Sequence, residues 1–139
     1  MRTIIIAALL IVPALCLGQT VENAAVRSSA AYAELIVRKT EVQADLEAVA
    51  ADYTEANPKL LDLRFELSAL ERSLVRILAT KPSETAKLTL AIGKLLVKKA
   101  ALETEQARLI RSYGPEHPEV KRAKRRVEIF ENAILELTK

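Results

Sequence analysis

The side chain in this sequence best suited to acid–base catalysis or metal binding is His117, the single histidine. An imidazole can act as a general base or ligate a metal, but both roles need further groups close by. The sequence has no second histidine, its one cysteine, Cys16, lies near the N-terminus, and the place of His117 directly before Pro118 is explained by helix capping. The sequence shows no metal-ligand spacing, glycine-rich phosphate loop or Ser/His/Asp set. We therefore predict no catalytic residue, no cofactor, no metal site and no enzymatic activity.

Positive charge is concentrated at residues 121–126, where the sequence KRAKRR carries five basic side chains. Such a helix face could bind an anionic glycan or lipid headgroups. It could equally be a solvated surface whose charge Glu128 and Glu131 partly balance. The absence of interleaved aromatic residues argues against nucleic acid as a partner. The residues assigned to a possible polyanion contact are Lys121, Arg122, Lys124, Arg125 and Arg126.

Two lysines, Lys39 and Lys99, fall on predicted apolar helix stripes at equivalent positions of two similar segments. They could form a paired cationic site, or act as polar core residues that fix helix register and oligomeric state. The alternative is that each alkyl stem packs on the stripe while the ammonium group reaches water. Both interpretations stay open at the level of sequence.

Long amphipathic helices would have to position these side chains. Apolar residues recur at alternating steps of three and four, the heptad spacing that aligns them on one stripe of a helix. The first series after a proline is Leu60, Leu63, Leu67, Leu70, Leu74 and Ile77, and the second is Val120, Ala123, Val127, Phe130, Ile134 and Leu137. Upstream, matching heptads run from Tyr32 to Tyr53 and from Ile92 to Tyr113.

The two halves of the chain follow one pattern at an offset of sixty residues. Between residues 31–72 and 91–132, seven positions are identical, and these are Ala31, Leu35, Val37, Lys39, Tyr53, Pro58 and Glu71 with their partners. Identity is low, but the shared heptad phase indicates an internal duplication.

Each copy contains a bend that runs from a tyrosine to a proline. The proline is predicted as the first helical residue, where its missing N–H has no cost, and the residue before it as the N-cap. That preceding residue is disfavoured in the α conformation, so the upstream helix must end there. We expect each tyrosine ring to cover the end of the apolar seam. The turn residues are Tyr53, Asn57 and Pro58 in the first copy and Tyr113, His117 and Pro118 in the second.

Matched amphipathic helices joined by a short turn form an antiparallel helical hairpin. We predict an all-α fold in which two duplicated hairpins form either a four-helix bundle or an elongated coiled coil. Ser83 or Thr80 is expected to cap the third helix. The predicted segments are a signal peptide at 1–18, a lead-in at 19–31, the first hairpin at 32–79, a connecting loop at 80–84 and the second hairpin at 85–139, with 19–139 as one structural domain.

The composition agrees with an all-α fold. Half of the residues are hydrophobic, yet only 4% are aromatic, and the chain has three glycines and no tryptophan. This balance suits helices packed along narrow seams better than a sheet or a cofactor pocket. The formal net charge is only +3, so global charge favours no particular partner.

The N-terminus has the order of a secretory signal peptide. A short apolar run from Ile4 to Val12 precedes small residues at Cys16 and Gly18, which predicts cleavage after Gly18. The run is shorter than the roughly 20 residues that span a bilayer. Two alternatives stay open: an uncleaved anchor, and a lipoprotein acylated at Cys16, although Leu15 is larger than the residue that such processing prefers. We expect an exported protein, periplasmic or secreted, whose mature chain has no cysteine.

The segment SYGPEHPEVKRAKRRVEIFENAI resembles part of the periplasmic coiled coil of polysaccharide chain-length determinant and exopolysaccharide export proteins. The matching residues are Tyr113, His117, Pro118 and Val120, whereas the first copy has Asn57 in place of the histidine. Those proteins also have flanking membrane helices and often a cytoplasmic ATPase, neither of which we find in this sequence. The resemblance implies a free-standing periplasmic hairpin relative.

Together these features predict a non-enzymatic, exported helical interaction or scaffold protein of the bacterial envelope. It would act by self-association or by contact with another helical envelope protein. The alternative is a periplasmic holdase-type chaperone, or a module that binds a polyanion or a membrane surface through residues 121–126. The export signal is a further reason to expect no nucleic-acid partner.

Overall fold

The computed structural model describes residues 24–139, so the predicted signal peptide and Cys16 lie outside the described residues. The α-helices are α1 (Ala30–Asp52), α2 (Pro58–Leu78), α3 (Leu90–Tyr113) and α4 (Pro118–Thr138). A 3-10 helix, Pro82–Lys87, lies between α2 and α3, and one helical turn at 24–27 precedes α1. No strand occurs within residues 24–139, and the predicted all-α fold is confirmed.

The first helix of each hairpin begins at a hydroxyl cap, and the two caps lie sixty residues apart. Ser29 Oγ accepts a hydrogen bond from the N–H of Tyr32 at 3.2 Å. Thr89 Oγ1 accepts one from the N–H of Ile92 at 3.5 Å. Such a cap satisfies a backbone donor that the helix itself leaves free. The internal repeat therefore extends upstream of the region in which the sequence shows it.

The connection between the hairpins differs from the predicted loop at 80–84. Because Pro82–Lys87 forms a 3-10 helix, α3 does not begin at residue 85, and the expected cap at Ser83 or Thr80 is wrong. Proline suits the first turn of a short helix as well as that of a long one, so Pro82 starts a separate turn.

Leu88, directly before the Thr89 cap of α3, contacts both the core and the start of α1. Its side chain is buried in the core, and its carbonyl oxygen accepts a hydrogen bond from the N–H of Ala31 at 3.3 Å. The connection is thereby held against the start of α1. As a result α1 and α3 start side by side and run parallel.

Both bends contain the same backbone hydrogen bond across the turn. The N–H of Asn57 donates to the carbonyl oxygen of Thr54 at 2.9 Å, and the N–H of His117 donates to that of Gly114 at 3.4 Å. Gly114 has φ +80°, a conformation that glycine adopts without strain. With this glycine, α3 continues one residue further than α1 before the chain turns.

The predicted heptad stripes form most of the core. The buried stripe residues are Leu35, Val42, Val49, Leu60, Leu63, Leu70, Leu74, Ile77, Ile92, Leu102, Val120, Ala123 and Ile134. Leu67 and Val127, also on the stripes, are half-buried, and Leu137 is exposed. The seam of the second hairpin is therefore less completely covered than the seam of the first.

The hairpins pack side by side in two layers, rather than end to end as in an elongated coiled coil. Helices α1 and α3 are neighbours in one layer, and α2 packs against both of them. Helix α4 packs mainly on α3. The bundle thus lacks the symmetry of a closed square in which each helix has two equal neighbours.

Helices α1 and α3 approach each other closely at Gly93. A Cβ atom on this residue would lie 2.8 Å from Cβ of Glu34 and 2.9 Å from Cα of Ala31. Real Cβ contacts are not this short, so the packing of α3 on α1 requires a glycine here. None of the helices within residues 24–139 is long and apolar enough to cross a bilayer.

Candidate interaction surface

The two bends lie at the same end of the bundle, and their cap residues act through different atoms. Asn57 Oδ1 accepts a hydrogen bond from the N–H of Lys59 at 2.8 Å. His117 Nδ1 accepts one from the N–H of Glu119 at 3.2 Å. Pro58 and Pro118 are the first residues of α2 and α4. His117 is thus engaged in ending the bend and starting α4.

The tyrosines of the bends do not cover the apolar seam as expected. Tyr53 and Tyr113 are both more than half exposed. Tyr53 follows the last residue of α1 in an extended conformation, so its ring no longer follows the helical stripe. The Tyr113 ring instead stacks on the imidazole of His117, with centroids 4.6 Å apart and an interplanar angle of 20°.

Lys39 and Lys99 form the same ion pair in each hairpin. Lys39 Nζ lies 3.1 Å from Oε1 of Glu71, and Lys99 Nζ lies 3.0 Å from Oε2 of Glu131. The two glutamates are themselves equivalent in the repeat. Both lysines are half-buried, so the stems pack while the ammonium groups meet carboxylates at the edge of the seam. The two lysines contact different carboxylates and do not form one paired cationic site.

In the second hairpin this pair extends into a five-charge network. Lys99 also lies 2.7 Å from Oε1 of Glu103, whose other oxygen lies 3.4 Å from Arg72 Nη2. The Arg76 guanidinium lies 2.7 Å from Oε1 of Glu131. Three cations and two carboxylates therefore join α2, α3 and α4, and the network links α4 to α2 as well as to α3.

The network shifts the pKa values of its central groups. Burial of the Glu131 carboxyl acts to raise its pKa, but hydrogen bonds from Arg76 and Lys99 outweigh it and hold this pKa below its usual range. Burial of Lys99 acts to lower its pKa, but hydrogen bonds to Glu103 and Glu131 leave it raised. Both groups are therefore charged throughout the neutral pH range.

The basic segment 121–126 is exposed, and much of its charge is paired. The three pairs are Arg126 with Glu105, Arg122 with Glu119 and Lys121 with Glu116, at 3.0, 2.7 and 2.9 Å. Lys124 and Arg125 have no ion-pair partner within residues 24–139. Glu131, which the sequence suggested would balance this charge, instead binds Arg76 and Lys99.

The part of the chain that the structure describes contains no group of three His, Cys, Asp or Glu residues that could hold a metal ion. Its surface depressions are open and lined largely by charged side chains. One of about 380 Å³ lies between α1 and α3, and its lining residues are Glu34, Arg38, Lys94, Val97, Lys98 and Ala101.

An apolar stripe on α4 is uncovered. Ile129, Ala133 and Leu137 are spaced by four residues and so lie one above the other on the helix surface. Ile129 is 65% exposed and Leu137 is 53% exposed, while Ala133 is half-buried. We call these three residues the outer stripe of α4. The heptad spacing does not predict this stripe, because it assigns Leu137 to the core and leaves Ile129 unassigned.

No protein-family model, no curated protein and no solved structure matches this chain. The resemblance of the second bend to chain-length determinant proteins therefore stays a prediction.

Proposed function

We propose that this protein is a non-enzymatic helical interaction protein of the bacterial envelope, which acts by packing its own helices against those of a partner. The outer stripe of α4 carries this proposal. Complete burial of an isoleucine or leucine side chain contributes roughly 1.5–3 kcal/mol, and covering Ile129 and Leu137, which are 65% and 53% exposed, contributes part of that amount. Two such residues in line on a rigid helix offer a partner helix a continuous apolar contact.

The network of charges around α4 supports the same proposal. Glu131 is bound by Arg76 from α2 and Lys99 from α3, so α4 is held in a fixed position. A fixed helix presents Ile129 and Leu137 without the ordering cost that a mobile segment would add to binding.

Site-specific photocrosslinking in cells tests the interaction. A photoreactive phenylalanine analogue at Ile129 should give a discrete crosslinked protein band, because the stripe is covered by a partner. The same analogue at Leu135, which is exposed on another side of α4, should give little or none. Equal crosslinking at the two positions, or none at either, would overturn the proposal.

Export is a separate part of the proposal and has its own test. Fractionation of cells, followed by N-terminal sequencing of the purified protein, should place the chain outside the cytoplasm with Gln19 as its first residue. A cytoplasmic protein that begins at Met1 would contradict export and leave the interaction through α4 to be judged by crosslinking.

A second candidate function is contact with a polyanion through the basic segment. It is supported by Lys124 and Arg125, which are exposed and bind no carboxylate within residues 24–139. Retention on heparin that falls with added salt and is lost in the Arg125→Glu variant would support this function. Retention that is unchanged in the variant would exclude this use of the segment.

A further inference from the structure

The two-layer packing of the helices leaves one position of a repeating pattern unfilled. Helix α2 packs against α1 and α3 together, and α4 is the equivalent of α2 sixty residues later. Helix α4 has α3 as its main neighbour, and within residues 24–139 no helix occupies the place beside α4 that α3 occupies beside α2. The next helix in this pattern would be an equivalent of α1 and α3.

The exposure of equivalent side chains supports this description of α4. Ala69 and Ile77 of α2 are each 2% exposed. Their equivalents in the repeat are Ile129 and Leu137, the two uncovered residues of the outer stripe. The helix face that the first hairpin buries against its neighbour is thus apolar in the second hairpin too, but no helix within residues 24–139 covers it there.

Helix α1 shows the complementary difference. Val37 and Val97 are identical and equivalent, yet Val97 packs against the core whereas Val37 is 58% exposed. Leu96 is buried, while its equivalent Ile36 is half-buried. The first hairpin covers one side of α3, and the equivalent side of α1 is therefore more exposed to solvent.

We propose that copies of this chain stack head to tail, with the α3–α4 hairpin of one copy covering α1 of a second copy as the α1–α2 hairpin covers α3 within the chain. This inference rests on the proposed function and names its partner as the same protein. Repeat proteins stack units in this way, and a terminal unit without a polar outer face remains open to another.

The register within the chain predicts the contacts between copies. Within the chain, α2 and α3 pair Arg72 with Glu103 and Asp62 with Arg111. In the proposed contact, α4 takes the place of α2 and α1 of a second copy takes the place of α3, so sixty is added to one residue number and subtracted from the other. The register of Asp62 with Arg111 then sets Ile129 opposite Ala44 of the second copy and Leu137 opposite its Ile36.

Two further positions affect the strength of this contact. Arg126 falls beside Glu47 of the second copy, and these exposed side chains carry opposite charges. The residue of α1 that is equivalent to Gly93 is Ala33. Its Cβ atom would keep α1 of the second copy further from α3 of the first copy than α3 is from α1 within the chain. The contact between copies should therefore be weaker than the contact between hairpins.

Such a contact uses a different surface on each copy, so a dimer still has one unused surface of each kind and assembly should continue past the dimer. Sedimentation velocity of the full mature chain over a hundredfold concentration range should show a mass that keeps rising past the dimer. The variants Ile129→Asp and Val37→Asp should each stay monomeric. Both positions are exposed, so circular dichroism should show unchanged helicity.

Mixing the two variants is the decisive experiment. Each retains the surface that the other has lost, so the mixture should form a dimer and nothing larger. The Leu135→Asp control should assemble like the wild type, because Leu135 and its equivalent Val75 are exposed in both hairpins.

Three results of the sedimentation experiments would overturn the proposal. These are a wild-type chain that is monomeric at every concentration, a mixture of variants that stays monomeric, and a Val37→Asp variant that still dimerises by itself, as a symmetric contact between two α4 helices would allow. A crosslink from Ile129 to a different protein would keep the proposed function and reject self-stacking.

Discussion

Asn57 and His117 occupy the same cap position, yet one accepts its hydrogen bond through an amide oxygen and the other through an imidazole nitrogen. The imidazole also forms the surface on which Tyr113 stacks. One residue therefore both starts α4 and packs against the end of α3. At the scale of single residues, the two copies keep the cap hydrogen bond and vary the atom that accepts it.

Replacing His117 should separate the contribution of the N-cap hydrogen bond from that of the stacking on Tyr113. The His117→Ala variant should lose about 1 kcal/mol of unfolding free energy, the usual loss for an N-cap. His117→Asn should restore most of it, because Asn57 caps α2 in the same turn. Urea unfolding followed by circular dichroism measures both variants. Equal stability of His117→Ala and the wild type would show that the cap contributes nothing.

The Glu131 carboxylate predicts how the stability of the fold depends on pH. Its pKa is lowered on folding, so its contribution to stability is present above its usual value of 4.5 and is lost as the pH falls through the folded value. The pKa of Lys99 is raised, so its contribution is present below 10.5 and is lost as the pH rises through the folded value. The difference in melting temperature between the wild type and Glu131→Gln should be largest near pH 7 and shrink toward pH 3. A difference that does not change with pH would contradict the role of this charge.

At the scale of elements, Gly93 determines how close two helices can come. Glycine in a helix is less favourable than alanine by about 1 kcal/mol, so its presence there needs a reason. The contact with Ala31 and Glu34 supplies it. The stability gained by packing α3 closely on α1 offsets the helix propensity that is lost because the residue is glycine and not alanine.

The Gly93→Ala variant should therefore be less stable than the wild type, although alanine favours a helix. Overpacking costs about 1–3 kcal/mol and should outweigh the gain in propensity. Ala48→Gly, at an exposed position inside α1, measures that propensity in the same protein. If Gly93→Ala stabilised the chain by as much as Ala48→Gly destabilises it, the close approach would be absent in solution.

The helices follow from the sequence because heptad spacing and the two X-Pro steps are local signals. Pro58 and Pro118 mark the starts of two helices without any tertiary information. The start of α3 does not follow in this way, because Thr80, Ser83 and Thr89 are all hydroxyl residues that can cap a helix, and the sequence alone does not distinguish them. The outer stripe of α4 was missed for a related reason. The sequence of an apolar stripe is the same whether another helix or water covers it. Only the positions of the neighbouring helices explain why Ala69 is buried and its equivalent Ile129 is exposed.

At the scale of the whole molecule, the layers give the helices unequal numbers of neighbours. Helix α3 contacts the other three helices, whereas α4 has one main neighbour. Helices with fewer contacts open more readily in local unfolding. The molecule should therefore have a stable centre at α3 and a less stable edge at α4.

Hydrogen exchange tests this gradient. In dilute protein, amides in the middle of α4 should exchange about tenfold or more faster than those in the middle of α3. The difference should narrow as the protein concentration rises, because a second copy would then cover the outer stripe. Uniform protection across the helices in dilute protein would contradict the gradient.

The duplicated ion pair also bears on the order in which the chain folds. Lys99 has a possible wrong partner in Glu71, the glutamate that binds Lys39 in the folded chain. The two glutamates are chemically identical, so the ion pair cannot decide between them. Lys99 is 28 residues from Glu71 and 32 from Glu131, so the separation along the chain does not decide either. Once the helices have formed, the length of the connection between them does: the bend from Tyr113 to Pro118 is shorter than the connection from Leu78 to Leu90, and closing a shorter loop loses less entropy. Each hairpin should therefore form before the two hairpins stack, and the first should be complete while the second is still being synthesised.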